Sequence, residues 1–314
     1  MRAPDDSFKA PPALSVVISC YHSRSTLDDC LSSLRRQQTR RRFEVILVDS
    51  SADGTADHVR RNFPEVRLLA SARRLYCGDA RNLALGVARA PIVAFLDADC
   101  YVGAEWVEAV LEAHRSPHWL VGGAIDNGSR NSVTAWAYYF CEFSLWLPRT
   151  KPEEIGEIAG CCLSLKREAF ERYGPFLAGT YCSDTAFQWR AARDGQRVLS
   201  SPAIRVYHTC ESSLGEFLAH VVEHRRFFIL VARHQRKLEG WRRWAAIAAS
   251  PLYPFLLLAL TGWRVARRPR YLGWFLLSSP LVFLGCCARA WGELTGLLAG
   301  PRASDSDASI PAVR

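Results

Sequence analysis

Residues 92–99 read Ile-Val-Ala-Phe-Leu-Asp-Ala-Asp, an apolar run of five residues that ends in two aspartates separated by one alanine. A short apolar run of this kind is typical of a strand that is buried on both faces. Because side chains alternate along a strand, Asp97 and Asp99 lie on the same side of the chain. The stretch predicts a buried strand with paired carboxylates at its carboxyl end.

Three units of strand followed by helix precede this stretch and indicate the fold class. Their apolar runs occupy residues 16–18, 45–48 and 66–69. The helices are predicted from Ser25, a suitable N-cap, around 58–62 and over 79–90. Alternating units predict an α/β fold with a Rossmann-like, mostly parallel sheet covered by helices on both faces.

Polar side chains follow the first, second and fourth predicted strands where each strand ends. They are Ser19 and Tyr21, then Asp49, then the pair Asp97 and Asp99. In open α/β sheets, ligands bind beyond the carboxyl ends of the strands. We therefore expect these side chains to converge on one ligand.

Two apolar segments lie near the carboxyl end of the chain. Twenty uncharged residues separate Arg243 from Arg264, and eighteen separate Arg270 from Arg289. Each segment is close to the length that crosses a bilayer as a helix. Two crossings would place the arginine-rich loop on the outer side, against the positive-inside tendency. A spanning hairpin and a re-entrant or interfacial hairpin therefore both stay open.

The net charge of +9 is concentrated around these segments, which favours anionic lipid head groups over nucleic acid as the partner. Eleven scattered cysteines without a Cys-x-x-Cys pair are typical of reduced thiols. Because no apolar run precedes Leu14, we expect no secretory signal, and we expect the catalytic part to face the cytosol at an inner or plasma membrane. The predicted layout is a flexible lead-in (1–12), a catalytic domain (13–235), basic and apolar membrane-associated helices (236–300) and a disordered tail (301–314).

These features together resemble the family 2 glycosyltransferases of the GT-A fold, over about residues 14–208. Residues 15–22, Ser-Val-Val-Ile-Ser-Cys-Tyr-His, are similar to the first strand and nucleotide-contacting loop of that family. Residues 44–55 are similar to its second strand and the turn after it, and residues 78–82, Gly-Asp-Ala-Arg-Asn, to a segment whose arginine lies close to the donor nucleotide. The resemblance implies that the nucleotide-sugar donor contacts Ser19, Tyr21, Asp49 and Arg81.

The Asp-Ala-Asp stretch at 97–99 resembles the Asp-x-Asp motif of the family. It implies that Asp97 reaches the donor ribose while Asp99 holds a divalent cation, Mg²⁺ or Mn²⁺. His208 ends a predicted strand over 204–208, at a position where some relatives place a metal-binding histidine. A purely structural role for His208 stays open.

Residues 160–176 resemble the acceptor-side segment of the family, and residues 183–195 its Glu-Asp helix. The resemblance implies that Asp184 is the catalytic base, which takes a proton from the acceptor hydroxyl so that the sugar is transferred with inversion. Ser183 stands where the family usually has a first acid. Asp184 is also suited to cap the helix, and both roles can coexist.

The implied function is metal-dependent transfer of a sugar from a nucleotide-sugar donor to a glycan or lipid-linked acceptor, as in the assembly of cell-envelope polysaccharide. A dinucleotide-dependent oxidoreductase would need a glycine-rich turn after the first strand, and residues 19–24 contain no glycine. Ser183 leaves one alternative open. It is a non-catalytic member that binds nucleotide or scaffolds a membrane glycan-assembly complex.

Overall fold

The computed structural model describes residues 11–210, 213–236 and 238–299. The predicted lead-in over 1–12 and tail over 301–314 lie outside the described residues, except for positions 11 and 12. The strands are β1 (Leu14–Cys20), β2 (Phe43–Asp49), β3 (Arg67–Ala70), β4 (Ile92–Asp97), β5 (Cys100–Val102), β6 (Leu120–Asn127), β7 (Glu153–Ile155), β8 (Ser164–Lys166) and β9 (Val198–His208).

The nine strands form one sheet in the order β3-β2-β1-β4-β8-β6-β9-β5, with β7 paired to β9. The neighbours from β3 to β4 are all parallel. Beyond β4 the sheet is mixed, because β8 is antiparallel to both β4 and β6 whereas β6 and β9 are parallel. The predicted α/β fold with a Rossmann-like sheet is confirmed.

Eleven α-helices accompany the sheet among the described residues. They are α1 (Arg24–Arg35), α2 (Thr55–Asn62), α3 (Cys77–Leu85), α4 (Trp106–Ala113), α5 (Val133–Phe143), α6 (Arg167–Tyr173), α7 (Ser183–Arg193), α8 (Leu214–Arg236), α9 (Trp241–Ala249), α10 (Tyr253–Ala266) and α11 (Leu272–Leu298).

Three predicted boundaries were wrong for local reasons. The first helix starts before Ser25, because the carbonyl oxygen of Ser23 already accepts backbone hydrogen bonds and Ser23 is the N-cap. The helix predicted over 79–90 ends at Leu85, because Gly86, a weak helix former, is its C-cap. The strand predicted over 204–208 runs from Val198, because its first part also pairs with β6 and β7.

The core lies around β1 and β4, whose apolar side chains are almost completely buried. Strand β1 pairs with β2 on one side and β4 on the other, so that Ser19 lies beside Val48 and Asp97. This register brings the polar ends of the central strands to one edge of the sheet. It is the physical reason why motifs far apart in sequence meet.

The C-terminal helices pack on helices of the predicted catalytic domain. Helix α11 contacts both α8 and α5. Two of its glycines let the backbones approach closely: a Cβ at Gly292 would lie 2.4 Å from the carbonyl oxygen of Val222, and a Cβ at Gly285 would lie 2.5 Å from Cys141 Sγ. Two segments, Trp241–Ala266 and Pro269–Leu298, are long and apolar enough to cross a membrane by length and composition. They form the predicted apolar C-terminal hairpin.

Candidate active site

A pocket of about 450 Å³ opens at the carboxyl ends of β1 and β4. Its volume is in the range of small-molecule sites in proteins. Of the residues predicted for the site, the pocket wall contains Ser19, Tyr21, Arg81, Asp97, Asp99, Asp184 and His208. The remaining predicted residue, Asp49, is not part of the pocket wall.

The Gly-Asp-Ala-Arg-Asn motif fastens α3 to the segment that leads into α7. Asn82 exchanges two hydrogen bonds of 2.9 Å with the backbone of Phe176. Asp79 accepts a hydrogen bond of 2.9 Å from the backbone N–H of Gly179. These bonds hold the helix that carries Arg81, so the position of this buried side chain is set by its neighbours in the motif.

Arg81 lies between two acidic side chains of the site. Its Nη2 is 3.4 Å from Asp97 Oδ1, and its Nη1 is 3.9 Å from Asp184 Oδ1. Gly160 leaves room for the guanidinium, since a Cβ there would be 2.4 Å from Nη2. The sequence resemblance assigned Gly160 to an acceptor-side segment and did not predict this role. The arrangement places one fixed cation between the Asp-x-Asp motif and Asp184 of α7.

The two aspartates of the motif are electrostatically different. The pKa of Asp97 is raised to about 6. Burial is the main cause and the charge of Asp99 adds to it, whereas the charge of Arg81 partly offsets them. Burial also raises the pKa of Asp99, but His208 lowers it through charge and hydrogen bonding, and the net pKa falls below its ordinary value. Asp99 is therefore the carboxylate that stays ionised to lower pH.

Pairing between β5 and β9 creates a cluster of metal-ligating groups. Cys100 lies opposite His208 in this antiparallel pair, and His208 Nε2 is 3.3 Å from Asp99 Oδ2. The ligand atoms of these three residues lie within 4.8 Å of one another. The ring of Tyr138 stacks on the imidazole with centroids 5.5 Å apart. An oxygen and a nitrogen ligand at this spacing fit a divalent transition-metal ion.

Asp184 is in the first turn of α7, and its side chain is 16% exposed to the pocket. The helix N-cap is Cys182, with φ of 59°, so the predicted capping role of Asp184 was wrong. Ser183 is 1% exposed because α3 lies against it: a Cβ on Gly78 would be 2.7 Å from Ser183 Oγ. A longer acid at position 183 would be crowded against α3.

Tyr21 and two residues from the loop before α3 form the outer wall of the pocket. The guanidinium of Arg74 lies 4.7 Å from the centroid of the Tyr21 ring and 5.1 Å from that of Tyr76. Asp49, the last residue of β2, lies beside Cys20 of β1 and is 1% exposed. Its Oδ1 accepts a hydrogen bond from the backbone N–H of Ser51, and its Oδ2 has no hydrogen-bond partner.

Helices α5, α8 and α11 add a second wall that the sequence reasoning missed. His224 links two of these elements to the start of α7, since its Nε2 is 3.3 Å from Cys182 Sγ and its Nδ1 is 3.1 Å from Glu142 Oε2. Arg225 and Arg289 also line the pocket. No local motif marks these residues, because they meet only when the three helices pack together. The wall also reaches the Asp-x-Asp motif, because Tyr138 of α5 stacks on His208, the partner of Asp99.

Comparison with known proteins places this fold in a class: it is the fold of GT-A glycosyltransferases. The model of the family "Glycosyl transferase family 2" matches residues 15–174, about half of the chain. The chain belongs to glycosyl transferase family 2. The matched part ends before α7, so Asp184 lies beyond it.

Curated relatives share part of this region. Validoxylamine A glucosyltransferase from Streptomyces hygroscopicus subsp. jinggangensis (strain 5008) is 38% identical over 111 residues, which cover 34% of this chain and 26% of the relative. Glycosyltransferase AglE from Haloferax volcanii is 29% identical over 171 residues, which cover 52% of this chain and 56% of the relative. The chain therefore spans between a quarter and just over half of the length of these relatives.

Solved structures show the same fold. Mannosyltransferase PcManGT from Pyrobaculum calidifontis, in complex with GDP-Man and Mn²⁺, has a TM-score of 0.56 and 21% identity and covers 90% of this chain and 88% of its own. GalNAc-T7, solved with UDP, GalNAc and Mn²⁺, has a TM-score of 0.51 and 18% identity and covers 71% and 48%. Both similarities establish the fold.

Proposed function

We propose that this chain is an inverting glycosyltransferase that uses a nucleotide-sugar donor and a divalent cation. One observation carries the proposal: Arg81 lies between Asp97 and Asp184 in the same pocket as the Asp99 and His208 pair. The donor diphosphate is anionic, and the reaction needs a base on the opposite face of the sugar. This pocket offers groups for both requirements within a few ångströms.

The donor binds along the ends of β1 and β4. The nucleobase of the donor stacks near Tyr21, where the guanidinium of Arg74 already lies over the tyrosine ring. Ser19 and Asp97 contact the ribose. Asp49, which is buried and whose Oδ2 has no hydrogen-bond partner, supports the nucleotide from beneath the pocket wall. Arg81 holds its charge next to the diphosphate. Its pKa is raised, because Asp184 and other anionic neighbours outweigh the lowering effect of burial.

Asp99 and His208 hold the cation. Mn²⁺ is favoured over Mg²⁺, since Mn²⁺ accepts an imidazole nitrogen more readily than Mg²⁺ does, whereas Mg²⁺ prefers oxygen ligands. When bound, the cation neutralises charge on the leaving diphosphate. Both similar structures were solved with Mn²⁺, which supports this choice. The stacked ring of Tyr138 keeps the imidazole of His208 oriented toward Asp99.

Asp184 is the base of the reaction. It accepts the proton of the acceptor hydroxyl while the hydroxyl oxygen forms a bond to the anomeric carbon. The bond from that carbon to the diphosphate breaks on the other face, so the configuration is inverted. Although position 183 is a serine, the carboxylate of Asp184 still lines the pocket, which supports the catalytic assignment over the non-catalytic alternative.

The acceptor is a glycan or lipid-linked glycan presented at a membrane whose cytosolic side carries the catalytic domain. The apolar C-terminal hairpin supports the membrane attachment.

Transfer from labelled nucleotide sugars in the presence of Mn²⁺ tests the proposal. Asp99→Ala and Asp184→Asn should each lower the transfer rate by about 100-fold or more, because one loses the cation and the other the base. Asp194→Asn is the matched control: it changes an exposed carboxylate at the opposite end of α7, paired with Arg172. Unchanged transfer in both site variants would contradict the proposal. Donor binding without turnover by the unaltered protein would favour the scaffolding alternative.

A further inference from the structure

The C-terminal hairpin, residues 241–298, has a geometry that distinguishes between crossing a membrane and lying on it. We propose that the hairpin lies in the plane of an anionic lipid surface, with both ends and the arginine loop at 267–270 on the same side as the catalytic domain. The inference rests on the membrane attachment proposed above. It goes further, because it specifies the seating of the hairpin, that is, whether the hairpin crosses the membrane or lies in its plane, which length and composition leave open.

The hairpin carries most of the exposed apolar surface of the molecule. Among the described residues, all but three of the large exposed apolar side chains belong to it; the three exceptions are Tyr21, Leu145 and Leu214. Trp241 is 76% exposed, Leu252 71% and Leu276 62%. An exposed apolar surface of this extent is unusual for a protein in water and marks an interaction site.

The start of α11 is fastened to the catalytic part of the chain. Arg270 Nη2 donates to Asp126 Oδ2 at 2.9 Å, and the Tyr271 hydroxyl donates to Asp126 Oδ1 at 2.9 Å. Trp274 stacks on Trp136 of α5, with ring centroids 5.3 Å apart. In the loop before α11, Arg268 Nε donates to the carbonyl oxygen of Pro148. The arginine loop therefore touches the catalytic domain.

The middle and end of α11 are fastened in the same way. Arg289 Nη1 donates to the carbonyl oxygen of Cys141 at 2.6 Å, and Arg225 Nη2 lies 2.7 Å from Glu293 Oε2. Arg233 Nη1 donates to the carbonyl oxygen of Gly296 at 3.1 Å. A helix held to α5 and α8 along its length cannot cross the bilayer core without drawing those two helices in with it.

The first segment of the hairpin consists of two short helices joined by a 3₁₀ turn. Between α9 and α10, a 3₁₀ turn covers Ser250–Leu252 and contains Pro251, and Pro254 follows in the first turn of α10. Helix α10 has 14 residues, which corresponds to about 21 Å, less than the ~30 Å of a bilayer core. Neither α9 nor α10 is long enough to span a membrane alone, so a crossing would need both helices together with the 3₁₀ turn between them.

Charge and aromatic residues favour an anionic lipid surface as the occupant. Residues 238–299 contain seven arginines against two glutamates, a net charge of +5. Trp241, Trp244 and Trp263 are more than half exposed, and tryptophan rings favour the interface between lipid and water. The guanidinium of Arg267 lies 3.5 Å from the centroid of the Trp263 ring. Cations and indole rings together fit the head-group layer.

Sidedness is tested by lysine labelling in sealed vesicles whose outer face carries the catalytic domain. The variant Arg267→Lys places an amine in the arginine loop, and exposed Lys151 of the catalytic domain is the internal reference. A membrane-impermeant amine reagent should label both lysines, and detergent should raise neither signal more than about twofold. If the introduced lysine reacts only after detergent while Lys151 reacts before, the hairpin spans and the in-plane seating is overturned.

Lipid binding is tested by flotation of the full chain with vesicles of equal parts phosphatidylcholine and phosphatidylglycerol. The double variant Leu276→Glu with Leu277→Glu should bind at least about tenfold more weakly, because two exposed leucines leave the lipid. Leu214→Glu is the matched control, an exposed leucine outside the hairpin. Equal flotation of the double variant and the unaltered chain would overturn the proposed contact face.

The outcomes separate this inference from the proposed function. A chain that fails to float and forms a dimer in solution would show that a second copy covers the apolar face, and it would overturn the lipid partner. Transfer that depends on Asp99 and Asp184 in detergent would stand in either case. Loss of that dependence would instead refute the enzyme assignment and leave the seating intact.

Discussion

At the scale of single residues, the pocket is set by contacts that leave little freedom for substitution. Gly160 leaves room for the guanidinium of Arg81, and Gly78 leaves room for Ser183. Asp99 differs from Asp97 because hydrogen bonds from His208, Cys100 and its own backbone lower its pKa, whereas burial dominates at Asp97 and raises its pKa. Small residues at two positions therefore decide where the charged ones can lie.

Ser183→Glu restores the acid that the family usually has and should destabilise the protein. Position 183 is 1% exposed against Gly78, so a longer charged side chain is both overpacked and buried without room for a partner. We expect the free energy of unfolding to fall by about 2 kcal/mol or more. Chemical denaturation measures it, with Ser183→Ala as the control. A stable and more active Ser183→Glu protein would contradict the steric explanation.

At the scale of elements, the ends of helices and strands carry most of the function, and one helix end carries a pH dependence. His114 is the C-cap of α4 and is 4% exposed. Its Nε2 is 2.9 Å from Ser164 Oγ, whereas its buried Nδ1 has no partner. Burial lowers the pKa of His114 to about 3, and Lys166 contributes in the same direction. This imidazole is neutral in the folded protein.

Acid should therefore destabilise the fold through His114. The unfolded chain binds a proton at His114 below about pH 6.5, and the folded chain does so only near pH 3. Stability contributed by this site is complete above pH 6.5 and falls as pH drops toward 3. Between pH 7 and 5 the unaltered chain should lose up to about 2 kcal/mol relative to His114→Gln, which cannot titrate. Denaturant midpoints at both pH values measure the difference; a constant difference would refute the assignment.

At the scale of the whole molecule, the catalytic domain and the hairpin are one packed unit. Helix α11 contributes Arg289 to the pocket wall while its other face joins the exposed apolar surface. The same helix therefore connects the active site to the proposed lipid surface. An acceptor carried by a lipid would reach the pocket along this connection.

Gly292→Leu should disrupt this connection. A Cβ at Gly292 would lie 2.4 Å from the carbonyl oxygen of Val222, so a larger side chain forces α11 away from α8. We expect a loss of about 2 kcal/mol or more in the free energy of unfolding in detergent, together with reduced transfer. Gly273→Leu is the matched control in the same helix, since nothing lies within 4 Å of a Cβ there. Equal stability of the two variants would show that the helices are not packed as described.

The sequence by itself determined the βα units, the strand ends and the residues beside them. Apolar runs ending in polar side chains are local features, and the parallel pairing of β1, β2 and β4 follows from their pattern. Seven of the eight predicted site residues consequently lie in one pocket. The family resemblance added Arg81 and Asp184 to the predicted site, because each belongs to a motif of consecutive residues that can be recognised in the sequence.

Only the tertiary structure decided the rest, because it depends on contacts between distant elements. The partnership of Asp99 with His208 and Cys100 needs β5 to pair with β9. The second wall of the pocket exists because α8 and α11 pack beside α5, which no local pattern encodes. Length and hydropathy could not separate a spanning hairpin from one lying on the surface, since both use the same apolar residues. The contacts that fasten α11 favour the second.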